Sequence, residues 1–219
     1  MNAINTLDNK LGLIAVLRGI TPDEVISVGT ALVNAGWGAI EVTLNSPNAY
    51  DSLRILHTHF KDKCLIGVGT VLTVDDVKRV ADIGLDFVIS PNMNPNVIRE
   101  TKKQGLLSIP GILTPSEAFS ALDAGADALK IFPGESINPA FIKAIRAVLP
   151  PHTVIYVTGG INTDNMQIFL KAGAHGFGIG GSVYKPHLPC DIVAQNAKNL
   201  SDAFANAKGN IRGFGLSSE

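Results

Sequence analysis

Short apolar runs rich in β-branched residues recur along this chain, and a longer segment with helical periodicity follows each of them. Each run ends in a loop signature and not in a hairpin turn, which indicates parallel strands connected by helices. At roughly 25 residues for each strand and helix, the pattern favours a single-domain (β/α)₈ TIM barrel, with an open doubly wound sheet as the alternative. The eight predicted strands are Leu13–Leu17, Ala39–Leu44, Leu65–Val68, Phe87–Ser90, Leu106–Ile109, Ala128–Phe132, Val154–Val157 and Phe177–Gly180.

Helix boundaries agree with this division. The segments Thr21–Glu24 and Thr114–Glu117 each place a capping threonine, a proline at the first helical position and acidic residues in the first turn. The last helix is predicted over Asp191–Lys208, so that residues 1–208 form the barrel domain and residues 209–219 a loosely held C-terminal tail. Glycines stand where a left-handed C-cap would end a helix, at Gly36, Gly84, Gly125 and Gly173.

The composition favours a protein that acts on small molecules. The 219 residues are 46% hydrophobic, and the formal net charge of -1 offers no basic stripe for nucleic acid or an anionic membrane. Residues 11–17 are apolar but too few to span a bilayer, and no signal-peptide cleavage pattern precedes Arg18. Cys64 and Cys190 lack metal-type spacing and are expected to stay reduced. We therefore expect a cytoplasmic protein with no nucleic-acid or membrane partner.

Lys130 lies within an apolar run that ends in a loop. Because an ammonium group is costly to desolvate, we expect its pKa to fall from about 10.4 toward neutrality, which leaves an amine able to attack a carbonyl carbon. Lys130 is therefore a candidate Schiff-base nucleophile. The alternative is an edge-strand lysine whose charged end reaches solvent.

Strand alternation predicts that Lys130 and Glu41 share one pocket. Residues two apart on a strand share a face, so Ala128 and Lys130 point into the barrel, as do Glu41 and Thr43. Active sites of closed parallel barrels lie at the carboxyl ends of the strands, where these residues fall. A carboxylate there is suited to general acid/base catalysis, and the alternative is an ion pair that only neutralises a buried lysine.

The last two strands end in glycines. Gly159-Gly160 and Gly180-Gly181-Ser182 leave room for backbone N–H groups to approach a phosphate, with Arg18 as the matching cation. Close packing of strand on helix is the alternative reason for glycine at these positions.

Thr70 shares the predicted inward parity of Val68 and offers a hydroxyl to a small carboxylate. Its alternative role is a helix N-cap. The histidines form no ligand set, and acidic residues at the strand ends are too few for a divalent cation, so no metal is expected.

Seven motifs, in order along the chain, resemble those of the 2-keto-3-deoxy-6-phosphosugar-acid aldolases. The resemblance runs from about Leu11 to Pro186. It implies a trimeric (β/α)₈ barrel that cleaves a phosphorylated keto-deoxy sugar acid into pyruvate and glyceraldehyde 3-phosphate, with no metal or organic cofactor. The motifs are Val16–Gly19, Glu41–Leu44, Gly67–Thr70, Ser90-Pro91, Lys130–Pro133, Thr158–Ile161 and Gly180–Ser182.

The resemblance also implies roles for single residues. Lys130 would form the Schiff base, Glu41 would be the acid/base, and Thr70 would hold the pyruvate carboxylate. Further substrate contacts are implied for Pro91 and Gly159 by their motifs. The phosphate would be held by Arg18, Gly160, Gly181 and Ser182.

Subtype signals within the family conflict. Arg18–Pro22 and Leu44–Pro47 resemble the phosphogalactonate aldolases, whose phosphogluconate relatives carry arginine where this chain has Asn45. Thr158 resembles the phosphogluconate type instead, in which cleavage of 4-hydroxy-2-oxoglutarate is a possible side activity. We favour the phosphogalactonate type. The same residues are also compatible with a phosphosugar isomerase or epimerase that forms no imine, and with a non-catalytic phosphosugar-binding barrel.

Overall fold

The computed structural model describes residues 11–213, with side chains through residue 210, and within this range the strands form one parallel sheet. Hydrogen-bonded neighbours follow the order β5-β4-β3-β2-β1-β9-β8-β7-β6. The strands are β1 Leu13–Leu17, β2 Ala39–Thr43, β3 Leu65–Gly69, β4 Phe87–Ile89, β5 Leu107–Ile109, β6 Gly111–Ile112, β7 Ala128–Ile131, β8 Val154–Thr158 and β9 Gly176–Ile179.

The barrel closes through its fifth strand, which the sequence predicted as one run ending at Ile109. That strand is divided into β5 and β6 at Pro110, which has no N–H to donate to the ladder. β5 pairs with β4 and β6 pairs with β7, so one stretch of chain joins both edges of the sheet. The amide of Lys130 donates to the Pro110 carbonyl at 2.9 Å across this seam. The predicted (β/α)₈ barrel is confirmed, with this correction to the strand boundaries.

Helices follow the strands, and most of their boundaries agree with the predicted caps. Thr114 forms a full capping box with Glu117. The cap predicted at Thr21 is wrong, because the first helix begins at Val25, after a turn in which Thr21 N and Oγ1 donate to Glu24 Oε2 at 3.1 and 2.8 Å. The four predicted C-cap glycines all have φ between 83° and 110°. The helices are α1 Val25–Asn34, α2 Ala49–Phe60, α3 Val74–Ala81, α4 Pro95–Lys103, α5 Pro115–Asp123, α6 Pro139–Arg146, α7 Met166–Lys171 and α8 Cys190–Gly213.

The last helix is longer than predicted. α8 continues past Lys208 to Gly213, so residues 209–213, which the sequence analysis assigned to the tail, are helical. A single glycine at position 209 does not end a helix whose hydrogen-bond ladder continues on both sides of it. Residues 214–219 of the predicted tail lie outside the described residues. None of the described helices is long and apolar enough to cross a bilayer.

Two apolar layers form the core and limit the polar site to one end of the barrel. One layer lies between the sheet and the helices, and the other fills the barrel interior, where Phe87 and Tyr156 are fully buried. Glycine is required opposite these rings, because a Cβ at Gly67 would collide with Phe87 and one at Gly176 would lie 2.8 Å from the Tyr156 ring. These rings fill the barrel below the site, and the polar groups lie toward the carboxyl ends of the strands.

Strand alternation places the predicted pair inside the barrel. Ala128 and Ala39 belong to the interior layer, while Leu129 and Ile40 pack against helices, which confirms the inward parity of Lys130 and Glu41. The parity predicted for Thr70 was wrong, because its reference residue Val68 packs against the helices.

Candidate active site

Lys130 is buried on β7, with only 6% of its surface exposed. Its Nζ lies 4.9 Å from the centre of the Phe132 ring. Burial lowers the pKa of Lys130 below its ordinary value, the negative charge of Glu41 opposes this, and the positive charge of Arg18 adds to it. A lysine whose charged end reaches solvent is therefore excluded, and burial shifts Lys130 toward the neutral amine relative to a lysine in water.

Glu41 is a buried carboxyl group on β2, with 1% exposure, and its Oε2 has no hydrogen-bond partner among the residues that the structure describes. Gly69 on β3 leaves room for it, because a Cβ there would lie 2.7 Å from Glu41 Oε1. Burial raises the pKa of Glu41, while the positive charges of Lys130 and Arg18 act in the opposite direction. Burial thus favours the protonated carboxyl group more than water would, and the two neighbouring cations favour the carboxylate.

Lys130 and Glu41 interact electrostatically without forming a direct ion pair. The lysine–carboxylate contacts within 4.0 Å in the described part of the chain involve Lys78, Lys102 and Lys198 instead. The alternative in which Glu41 only neutralises Lys130 by direct pairing is therefore not observed. A buried amine near a protonatable carboxyl group can attack a carbonyl and exchange protons with the adduct.

Arg18 and Asn45 are brought together above this pair. Arg18 Nη1 donates to Asn45 Oδ1 at 2.9 Å, although the two residues are 27 positions apart. Ser46, which was missed from sequence, accepts from the amide of Gly19 at 2.8 Å and lies 3.1 Å from Thr43 Oγ1. Its signal in the sequence was a small polar residue within the loop that follows the second strand. Ser46 fixes the turn that carries Arg18.

A cavity of about 490 Å³ opens beside Lys130 at the carboxyl ends of β1, β7, β8 and β9. Lys130 and Glu41 do not line it themselves; Phe132 does, and its ring centre lies 4.9 Å from Lys130 Nζ, so this ring links the cavity to the amine. The Thr158 side chain points inward over Gly178, where a Cβ would collide with its hydroxyl. Two charged lining residues were missed from sequence, Glu135 and Lys185. Predicted site residues that line the cavity are Arg18, Thr158, Gly159, Gly160, Gly181 and Ser182.

The glycines of the two turns differ in their backbone conformation and in their surroundings. Gly159 and Gly160 have φ of 104° and 67°, and a Cβ on either would press on Glu135, so backbone conformation and close packing both require glycine there. A Cβ at Gly181 would have Lys185 Cε at 3.9 Å as its nearest neighbour, so this position is open. No protein acceptor within residues 11–213 takes the backbone N–H of Gly160, Ile161, Gly181 or Ser182. Free amides of this kind suit an anion.

Ser182 links the two glycine turns. Its Oγ donates to the Ile161 carbonyl at 2.7 Å, so the hydroxyl proton is engaged by the protein. Its hydroxyl therefore positions one turn against the other, and its amide is the donor left for an anion.

Thr70 and Pro91 lie outside this cavity. Thr70 has a left-handed φ of 60° and follows Gly69, which contacts Glu41. The N-cap role considered for Thr70 is wrong, since α3 is capped by Thr73, whose side chain accepts from Asp76 N at 3.1 Å. The Thr70 hydroxyl has no hydrogen-bond partner among the described side chains and backbone groups. The Pro91 carbonyl packs against Gly111 at the seam of the barrel.

Side chains that commonly bind metals are dispersed. His57 and His59 lie on α2, and the ring of His175 contacts Arg146 Nη2 at 2.6 Å. His187 Nδ1 lies 4.0 Å from Glu24 Oε1. Over the described residues, no group of three or more His, Cys, Asp or Glu side chains is placed to hold a metal ion.

Residues 4–200 match the family model described as "Aldolase: KDPG and KHG aldolase". The chain is 40% identical over 198 residues to the 2-dehydro-3-deoxy-6-phosphogalactonate aldolase of Escherichia coli K12, which covers 90% of this chain and 97% of that relative. It is 43% identical over 185 residues to a probable 2-dehydro-3-deoxy-6-phosphogalactonate aldolase of Rhizobium meliloti, covering 84% of this chain and 87% of the relative.

Solved structures agree with these relatives. One described as "Native KDPGal structure" superimposes with a TM-score of 0.90 at 40% identity, covering 92% of this chain and 98% of that one. A KDPG aldolase from Legionella pneumophila, with pyruvate captured as a covalent carbinolamine intermediate, gives a TM-score of 0.77 at 26% identity and covers 94% of this chain and 98% of that one.

Proposed function

The chain belongs to the KDPG and KHG aldolase family, and from this we propose that it is a class I aldolase that cleaves 2-dehydro-3-deoxy-6-phosphogalactonate to pyruvate and glyceraldehyde 3-phosphate. The observation that carries the proposal is a buried lysine coupled to a buried carboxyl group beside a cavity with a cation and free amides. The covalent pyruvate adduct of the Legionella relative supports imine chemistry in this family.

The proposed reaction uses Lys130 as nucleophile and Glu41 as proton carrier. The neutral Lys130 amine attacks the C2 carbonyl, and Glu41 protonates the hydroxyl of the carbinolamine, which leaves as water to form the iminium ion. Glu41 then takes the proton of the C4 hydroxyl as the C3–C4 bond breaks. Glyceraldehyde 3-phosphate departs and the electron pair of that bond forms the enamine. Protonation at C3 and hydrolysis of the imine release pyruvate and restore Lys130.

The proposed substrate contacts divide between the two ends of the molecule. Thr70, which follows the glycine that packs against Glu41, and Pro91 are assigned to the pyruvate end. Arg18 and the amides of Gly160, Gly181 and Ser182 are assigned to the phosphate, with Gly159 shaping the turn. The reaction as proposed requires no metal or organic cofactor. A coupled assay for pyruvate and glyceraldehyde 3-phosphate tests the proposal, since an aldolase of this kind yields them in equal amounts.

Arg18→Ala is expected to raise KM for the phosphorylated substrate by about 10- to 100-fold, the loss of a charge-assisted contact of about 1.5–3 kcal/mol. Cleavage of the unphosphorylated analogue should change far less, because Arg18 is assigned to the phosphate. Steady-state kinetics on both substrates checks this, with Arg99→Ala on the remote helix α4 as the matched control. Equal losses on the two substrates would remove Arg18 from the phosphate site.

The second candidate substrate is 2-dehydro-3-deoxy-6-phosphogluconate, which Thr158 favours. The two acids differ in configuration at C4, and a hydroxyl that pairs with one epimer contributes about 0.5–1.5 kcal/mol. We expect the wild type to cleave both and to prefer the phosphogalactonate form through Asn45 and its neighbours. Thr158→Val should shift the kcat/KM ratio about 3- to 10-fold further toward that form. Kinetics on both purified epimers decides it, and a strong wild-type preference for phosphogluconate would overturn the subtype.

A homotrimer is proposed for the assembly. The support is a set of exposed apolar side chains, Leu72 at 48%, Leu113 at 40% and Phe119 at 42%, which lie after β3, after β6 and on α5. Light scattering of the purified protein should give three times the chain mass of 23.1 kDa. A monomer or dimer mass at working concentrations would contradict the trimer.

A cytoplasmic location is also proposed. Its support is the state of the cysteines, since Cys64 is a buried thiol and Cys190 an exposed one, and neither forms a disulfide. Cell fractionation with an antibody to the protein tests it, and recovery in a membrane or secreted fraction would contradict it.

A further inference from the structure

Two charged residues of the cavity have no role in the reaction as proposed. Glu135 lies on the short 3₁₀ turn Gly134–Ser136 that follows β7, and Lys185 lies shortly after the glycine turn at the end of β9. Both line the same cavity as Arg18. Their charges are opposite, so their effects on a bound phosphate must be opposite as well.

The side chain of Glu135 lies over the glycine turn after β8, with its outer part exposed to solvent. A Cβ at Gly160 would lie 2.7 Å from Glu135 Cβ, and one at Gly159 would collide with the Glu135 carboxylate. The turn that carries Glu135 is itself packed tightly, because a Cβ at Gly134 would lie 2.7 Å from the Gly159 carbonyl oxygen. Within the described chain the Glu135 carboxylate makes no hydrogen bond and no ion pair. An unpaired carboxylate therefore lies over the turn that presents the free amide of Gly160.

Lys185 follows the other glycine turn, Gly180–Ser182, and its side chain lies near Gly181. Its Cε lies 3.9 Å from the position of a Cβ on Gly181, and in the described structure its ammonium has no carboxylate within 4.0 Å. One N–H of the neighbouring cation, Arg18, is already engaged by Asn45. The ammonium of Lys185 is thus available to an anion at the amides of Gly181 and Ser182.

We infer that Glu135 and Lys185 set the phosphate affinity of this site in opposite directions, Glu135 lowering it by repulsion and Lys185 raising it by attraction. The inference rests on the proposed function, because it takes the cavity as the phosphate site. Glyceraldehyde 3-phosphate keeps the phosphate after the C3–C4 bond breaks, so every gain in phosphate binding also slows product release. Glu135 limits the affinity for phosphate, so the enzyme releases glyceraldehyde 3-phosphate faster than it would if the site contained cations alone.

Calorimetric titration of inorganic phosphate into the full-length protein tests the inference. Glu135→Gln, which keeps the shape of the side chain, should tighten the Kd for phosphate by about 3- to 10-fold, and Lys185→Gln should weaken it by a similar factor. The matched controls are Asp82→Asn and Lys171→Gln, exposed positions at the other end of the barrel, and these should leave the Kd nearly unchanged. Both shifts should shrink as salt is added, since they are electrostatic.

Product inhibition provides the second readout. The inhibition constant of glyceraldehyde 3-phosphate should fall in Glu135→Gln by the factor seen for phosphate, while the rate of reductive labelling by pyruvate alone stays at the wild-type value. Normal phosphate binding in the wild type with no shift in either variant, or weaker binding in Glu135→Gln, would overturn the inference and leave the aldolase proposal intact. No phosphate binding by the wild type would overturn the inference together with the phosphate site, and labelling at Lys130 would still test the imine.

Discussion

Lys130→Met is expected to lower kcat/KM by about 10⁴-fold or more, because it removes the nucleophile on which the covalent route depends. The barrel should stay folded. Burial depresses the pKa of Lys130 in the folded state, so at every pH below its unfolded pKa the lysine costs stability, because on folding it must either lose its proton or be buried charged, and methionine removes that cost. The loss of the lysine charge also raises the pKa of Glu41 further, which lets the carboxyl group become neutral and avoids an unpaired buried charge.

Circular dichroism and steady-state kinetics measured on the same preparation check this expectation. Lys143→Met on α6, an exposed lysine away from the site, is the matched control and should keep wild-type turnover. A folded Lys130→Met protein with near-normal turnover would contradict the assignment.

Glu41→Gln is expected to lower kcat by on the order of 10²- to 10⁴-fold, the usual range for loss of an acid/base group, with a smaller change in substrate binding. The amide keeps the size of the side chain but cannot carry the proton between the carbinolamine and the C4 oxygen. A variant that is less stable but fully active per folded molecule would instead support a purely structural role for Glu41.

The pH dependence of labelling separates these roles further. The negative charge of Glu41 raises the pKa of Lys130, so its removal lowers that pKa and leaves the free amine populated at lower pH. The acid limb of pyruvate labelling should therefore move to lower pH in Glu41→Gln. A shift to higher pH would mean that Glu41 does not act on Lys130 through its charge.

Much of the fold could be predicted because its signals are local. Apolar runs, the Thr114 capping box and glycines at helix ends each depend on a few adjacent residues, and they gave the strand and helix order. The break of the fifth strand at Pro110 is visible in the sequence, but a proline after an apolar run predicts the strand's end equally well. The residues that follow Pro110 pair with β7 only because the sheet closes into a barrel.

The site was predictable where strand alternation applied and not where it ended. Lys130 and Glu41 lie within regular strands, so their inward direction followed from residue spacing alone. Thr70 has φ 60°, outside strand geometry, and alternation could not orient it. Glu135 and Lys185 look like ordinary surface charges in the sequence. Their relevance depends on loops after β7 and β9 meeting at one cavity, which a single sequence does not specify.

The central claim is that Lys130 forms an imine with the substrate's keto group, and reductive trapping tests it most directly. The protein is incubated with pyruvate and sodium borohydride, digested, and mapped by mass spectrometry. We predict one stable pyruvate-derived adduct, located on Lys130 and missing from Lys130→Met. An adduct on a different lysine, or full cleavage activity with no adduct under conditions that reduce imines, would contradict the account.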